Sequence, residues 1–248
     1  MIYKHTINKG YKNFEQFTID IKKYFEQQKK NIHKARNELK VINFNEIDTI
    51  VKSFKIPNMI NKIIYTYFKD TKAKKSYEYS LKIGDFTPKP ISYIEFYKNG
   101  FLQNSYFISE KFDYDFTIRE PLLDKDFQDK KRILEAFAMF TFELHQNNIF
   151  HQDYSPGNIL IKKENENYIF KIVDINRMKF ISLDINQRLK NFAKLWIKDE
   201  DLIVIIKQYS KLIDIQEQKA IKTALKFSQA HKDKINMKKR LKGIEVVD

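Results

Sequence analysis

Eight residues near the middle of the chain, His151-Gln152-Asp153-Tyr154-Ser155-Pro156-Gly157-Asn158, set a carboxylate and a carboxamide five positions apart between two apolar stretches. Phosphoryl transfer to a hydroxyl calls for such a pair. One carboxylate accepts the proton of the attacking hydroxyl, and a nearby amide oxygen holds a metal ion on the phosphates. Asp153 suits the first role, as catalytic base, and Asn158 the second, as a magnesium ligand. Sixteen positions after Asn158, Asp174 closes the apolar run Ile169 to Val173, where a second metal-binding carboxylate would stand. The cofactors this chemistry implies are ATP and Mg2+. His151 is expected to brace the loop backbone by hydrogen bonding and to take no part in proton transfer.

Such a site also needs a lysine on the nucleotide phosphates, placed mid-strand and paired with a helical glutamate. Lys52, in Thr49-Ile50-Val51-Lys52-Ser53-Phe54, has that position and shares a strand face with Ile50 and Phe54. Lys55 is the alternative, at the strand end and on the other face. Glu78 is the expected partner, as the acidic residue in the body of the following helix. No G-x-G-x-x-G occurs between residues 29 and 45, so a phosphate loop would be the tight His33-Lys34-Ala35-Arg36-Asn37, with Lys34 or Arg36 touching phosphate.

The elements that must hold these residues change character along the chain. Phe14, Phe17, Ile21, Tyr24 and Phe25 recur at helical spacing and predict a helix over 13–30. KVINF and TIVKSF, split by Asn45-Glu46, predict paired strands, and Asn99-Gly100 between two β-rich runs is a hairpin signal. Residues 58–83 read as helical, with Asp70 as N-cap and Gly84 as the stop. The small sheet should have about five strands. Residues 126–148 predict a long helix burying Ile133, Leu134, Phe137, Ala138, Thr141 and Leu144. A hairpin after the loop and three helices follow, the first beginning near Leu183 and carrying Leu189, Phe192, Ala193 and Trp196. The fold class is therefore α+β and bilobal: an antiparallel-sheet N-lobe over about 1–110, a mostly helical C-lobe over about 113–230, and a basic tail over about 231–248.

The chain has 248 residues, no cysteine and a formal charge of +14. Its length and apolar content suffice for a core. Absence of cysteine excludes disulfides, thiolate metal sites and cysteine nucleophiles. The N-terminal residues contain no secretory h-region, and the longest aliphatic run, Leu202 to Ile206, is far too short to span a bilayer, so a cytoplasmic protein is expected. The charge favours polyanionic partners, and its densest stretch runs from His231 to Lys242. An AT-rich coding bias would produce a similar excess of lysine on any fold.

The blocks LHQNNIFHQDYSPGNILI and KIVDINRMKF resemble the lipopolysaccharide kinase family, the Kdo/heptose (Kdo/WaaP-like) kinases of the protein-kinase-like superfamily, over about residues 29–230. In the second block Asp174-x-x-Arg177 stands where protein kinases have Asp-Phe-Gly. The resemblance implies ATP- and magnesium-dependent phosphorylation of a lipid-linked inner-core saccharide of lipopolysaccharide at the cytoplasmic face of the inner membrane. Contact with anionic membrane is expected, and nucleic acid is not. Ser155 replaces the lysine of protein kinases two residues after the base, and too little chain follows Asp174 for a peptide-docking segment. Both features favour a small hydroxyl acceptor. Arg177 is a candidate for an acidic sugar or phosphate, or for a structural ion pair; Arg119, beside Glu120, is a weaker candidate. The alternatives are an aminoglycoside- or choline-like phosphotransferase and a catalytically silent binding module.

Overall fold

Asn45 and Glu46 both adopt positive φ (48° and 63°), as do Asn99 and Gly100 (51° and 78°). This geometry matches the twist of a two-residue hairpin. The computed structural model describes residues 2–29, 33–34, 37–54, 63–66 and 69–246. Its first strands are β1 (Ile2–Ile7), β2 (His33–Lys34), β3 (Asn37–Phe44), β4 (Ile47–Phe54), β5 (Pro90–Lys98) and β6 (Phe101–Glu110). The two turns join β3 to β4 and β5 to β6. All six form one antiparallel sheet in the order β1-β5-β6-β4-β3-β2.

The expected count was about five; β2 falls where a phosphate loop was expected, and β1 is the strand the sequence hides. As an edge strand it leaves Ile2 72% exposed and never buries an alternating face, so it lacks the period-two signal that marks a half-buried strand.

The chain divides into two units, Met1–Asp113 with Asp174–Asn176, and Tyr114–Val173 with Arg177–Asp248. In the first, the helix expected over 13–30 is broken. A 3-10 segment Lys9–Phe14 leads into α1 (Glu15–Ile19), and after Asp20 comes α2 (Ile21–Gln27). Phe14, Phe17, Ile21 and Phe25 nevertheless share one core with Ile42, Val51, Ile94 and Ile108 of the sheet. Phe17 and Phe44 stack with centroids 4.5 Å apart. Burying a side chain of this size contributes roughly 2–3 kcal/mol.

The next helix, α3, spans Lys72–Ile83. Its N-cap is Thr71 and not Asp70. The Thr71 hydroxyl accepts the Lys74 N–H (3.1 Å) and donates to the buried Glu95 carboxylate (2.6 Å), tying the helix start to β5. Asp70, one residue too early to cap, pairs with the Lys74 ammonium instead. Gly84 ends the helix at φ 56°, as expected. Lys55, Arg36 and residues 58–62 lie outside the described residues.

The second unit starts with β7 (Phe116–Thr117) and α4 (Arg119–Leu123), followed by α5 (Lys130–Gln146), whose six anticipated core residues are all buried. Then come β8 (Ile149–Phe150), β9 (Ile159–Glu164), β10 (Asn167–Ile172) and β11 (Lys179–Phe180). Strands β10-β9-β7 form one small sheet and β11-β8 another. Helix α6 (Ile185–Asn191) starts with a full capping box between Asp184 and Gln187. Then follow α7 (Asp199–Ser210) and α8 (Glu217–Arg240). Leu189, Phe192 and Ala193 are buried, but Trp196, grouped with them by spacing, sits in left-handed geometry and is 41% exposed. Residues 231–240 are the last turns of α8, so the basic stretch begins inside a helix that packs on α7.

Candidate active site

The loop 151–158 leaves β8 and enters β9 through a 3-10 turn at Pro156–Asn158. Its fold is set by buried groups. His151, 2% exposed, has one ring nitrogen on each side of the bend. Nδ1 accepts the Asp153 N–H (3.1 Å), so Nε2 carries the proton and donates to the Val173 carbonyl (2.9 Å). Tyr154 is fully buried, stacked on Phe137 and bonded through its hydroxyl to Thr141 (2.8 Å). Burial pushes its phenol well above the usual range. His151 and Tyr154 thus point inward and act as anchors.

The backbone carbonyl of Asp153 accepts two donors, the Ser155 N–H (2.8 Å) and the Asn158 carboxamide Nδ2 (2.9 Å). Among the described residues, no group donates to the Asp153 carboxylate. Nδ2 thus holds the Asn158 carboxamide on the loop backbone. The Val173 N–H donates to the Asn158 carbonyl (2.9 Å), and Asp174 is the next residue in the chain.

Asp174 adopts φ 58°, a left-handed conformation that an Asp side chain tolerates better than most. In the first unit its Oδ1 accepts from Lys52 Nζ (2.7 Å) and from Asn176 Nδ2 (2.7 Å). Lys52, 12% exposed at its side chain, lies on β4 between β3 and β6, with its ammonium 5.3 Å from the Phe54 ring centroid. The expected Lys52–Glu78 pair is not formed: Glu78 is half-exposed on α3 and sits 3.8 Å from Lys74. The reason is helical phase, because α3 turns Ala73, Ser76, Tyr77 and Ser80 inward and leaves position 78 outside. Lys34 lies on β2 opposite Glu38, so the expected phosphate loop begins in a strand.

Arg177 ends the 3-10 turn Ile175–Arg177 and is exposed. Arg119 starts α4 and lies against the loop: a Cβ on Gly157 would come within 2.7 Å of its Nη2. Glu120 is occupied by structure, accepting from the Thr117 N–H (2.9 Å) and hydroxyl (2.6 Å).

One group of residues carries no signal in the sequence. Asn191 Nδ2 donates to the His151 carbonyl (3.1 Å), and its Oδ1 accepts from His145 Nε2 (3.1 Å). His145 Nδ1 in turn accepts the Tyr209 hydroxyl (2.7 Å). This chain ties the loop to α5, α6 and α7. Burial is the main reason that the His145 pKa falls from 6.5 to about 4, with Arg188 adding to it and the Asn191 bond opposing it.

Stability should therefore depend on His145. As pH falls, the unfolded chain protonates this imidazole near 6.5, the folded chain only near 4. Between these values the unfolded state binds more protons, and folding loses about 3 kcal/mol across the window. The loss is expected in urea midpoints measured from pH 7 to pH 4, and His145→Gln should flatten that part of the profile. An unchanged slope in the variant would contradict it.

A family model described as "Lipopolysaccharide kinase (Kdo/WaaP) family" matches residues 79–217, more than half of the chain and inclusive of the loop and Asp174. The solved structure "WaaP in complex with acyl carrier protein" is similar at a TM-score of 0.60 and 12% sequence identity, covering 93% of this chain and 97% of that one. At that identity the likeness establishes the fold, a kinase-like α+β plan. The family match establishes more: the chain belongs to the lipopolysaccharide kinase (Kdo/WaaP) family.

Proposed function

We propose that this ATP-dependent sugar kinase phosphorylates a Kdo or heptose hydroxyl of the lipopolysaccharide inner core, with Asp153 as the base. The observation that carries the choice of a small acceptor is the chain path after Asp174. It pairs β11 directly with β8 (Lys179 with Phe150), then starts α6 at Ile185 under its capping box. So short a path favours a small acceptor over a docked peptide, and Ser155 stands where a protein kinase carries lysine.

In this mechanism Asp153 orients the acceptor hydroxyl and takes its proton as the bond to phosphorus forms. Lys52 holds nucleotide phosphate while remaining close to Asp174, and Arg177 contacts an acidic group of the sugar. Asn158 and Asp174 would hold magnesium, whose part is to neutralise charge on the phosphates. The donor set fits that ion. A carboxylate and a carboxamide are hard oxygen donors of the kind that magnesium takes. A cation here would complete its shell with phosphate oxygens and water, as magnesium prefers. Positioning and electrostatics then supply the acceleration. No helix among the described residues is long and apolar enough to cross a membrane. The proposed access to a lipid-linked acceptor is peripheral, at the inner face of the inner membrane.

The test is transfer from labelled ATP with magnesium to Kdo-lipid A, a heptose-containing core saccharide, aminoglycosides, choline and a protein mixture. Labelling of a core saccharide is expected. Labelling of choline or an aminoglycoside alone would replace the acceptor class, and no transfer with no ATP binding would leave a binding module.

A further inference from the structure

The far end of α8 exposes side chains that a helix packed on its own protein has no reason to expose. Its inward face is spent on Ala220, Ala224, Ser228 and Asn236. Lys232 also points inward, donating to the Ile197 carbonyl (2.8 Å). Beyond it, Met237 is 61% exposed, Leu241 77% and Ile244 52%. Residues 234, 237, 238 and 241 recur at helical spacing on one face, so Lys234 and Lys238 flank Met237 and Leu241.

Ile244 is not on a loose end. Gly243 takes φ 67°, its N–H donates to the Arg240 carbonyl (3.0 Å), and the Ile244 N–H donates to the Lys239 carbonyl (3.0 Å). This is the double closure of a Schellman turn, which fixes the residue after the glycine against the helix end. Lys234, Lys238, Arg240 and Lys242 are exposed around these apolar groups. The acidic residues between 231 and 246 are Asp233, which accepts from Gln229, and Glu245.

A merely solvated face would mix both signs of charge and show no cluster of large apolar side chains. Here cations ring exposed Met, Leu and Ile, the composition of a helix that lies in a lipid interface. Anionic headgroups attract the lysines. We infer that the C-terminal end of α8 seats on an anionic lipid bilayer, inserting Met237, Leu241 and Ile244 at the boundary between headgroups and chains. The inference rests on the peripheral placement proposed above and adds the surface responsible for it.

Co-sedimentation of the full chain with vesicles tests it, using phosphatidylcholine alone and phosphatidylcholine mixed with phosphatidylglycerol, neither containing lipopolysaccharide. The wild type is expected to bind the mixed vesicles, to ignore the neutral ones, and to be released by salt. Lys234→Glu/Lys238→Glu/Arg240→Glu should lose roughly a hundred-fold in vesicle affinity. Leu241→Ser/Ile244→Ser should lose roughly ten-fold while keeping its salt dependence. Both variants should phosphorylate a delipidated, soluble acceptor at the wild-type rate. The inference is overturned if the wild type does not bind mixed vesicles, or if the charge-reversed variant binds them as well as the wild type does. It is equally overturned if charge reversal costs binding to an acidic protein and none to lipid. Vesicle binding without any phosphate transfer would strike the proposed function and leave the surface standing.

Discussion

Asp153→Asn should lower kcat for transfer to the sugar by about 10²–10⁴-fold, the usual worth of a positioned general base. The KM for ATP and the unfolding midpoint should stay close to the wild-type values. The loop's structural bonds bypass the carboxylate. The His151 ring accepts the Asp153 N–H, and the Asp153 carbonyl accepts from Ser155 and Asn158. An amide of the same shape retains all three. What it loses is the capacity to take a proton as the hydroxyl attacks. Steady-state transfer together with urea denaturation separates the outcomes. Activity equal to wild type would remove Asp153 from its role, and a large fall in stability would mean that the carboxylate anchors the loop after all.

Short-range patterns account for what could be read in the sequence. The hairpins at Asn45-Glu46 and Asn99-Gly100 and the buried face of α5 depend on neighbours within a few positions. So does the order of loop, strand and acidic residue from His151 to Asp174. What could not be read depends on partners far along the chain. Asn191 meets a histidine 46 positions away and the loop 40 positions away, and nothing near it in sequence distinguishes it from an exposed asparagine. The pairing of Lys52 failed for a related reason. Composition names Glu78 as the acidic residue of its helix, but phase decides where it points, and the broad polar content of α3 left that phase unreadable. Trp196 shows the same limit: its helical spacing from Leu189 ignored that position 196 itself leaves the helix in left-handed geometry. Strand β1 was hidden because an edge strand with both faces wet has no alternation to display.

Asp174→Ala should cost both transfer and stability, and the two can be pulled apart. Its carboxylate is the proposed metal ligand, so transfer should drop by about 10³-fold or more, the equivalent of several kcal/mol of charge stabilisation. It is also the acceptor for the Lys52 ammonium and the Asn176 amide. Removing it strands a cation whose side chain is 12% exposed. Breaking a buried pair by deleting one partner is costly, and the third of the Asp174 side chain that remains exposed tempers the loss to about 1–2 kcal/mol. Lys52→Met in the Asp174→Ala background removes the stranded charge while keeping an unbranched apolar side chain of similar length. The double variant should therefore recover most of the lost stability and none of the activity. Lys52→Met alone should be the milder lesion for folding, because Asp174 keeps its bond from Asn176 and its access to water, yet it should still impair transfer. Thermal melts and transfer rates across this four-member cycle distinguish a chemical ion pair from a structural one. If the double variant were as unstable as Asp174→Ala, the lost stability would belong to the Asn176 bond and the left-handed backbone at position 174. Transfer restored by the double substitution would show that Asp174 serves the fold alone.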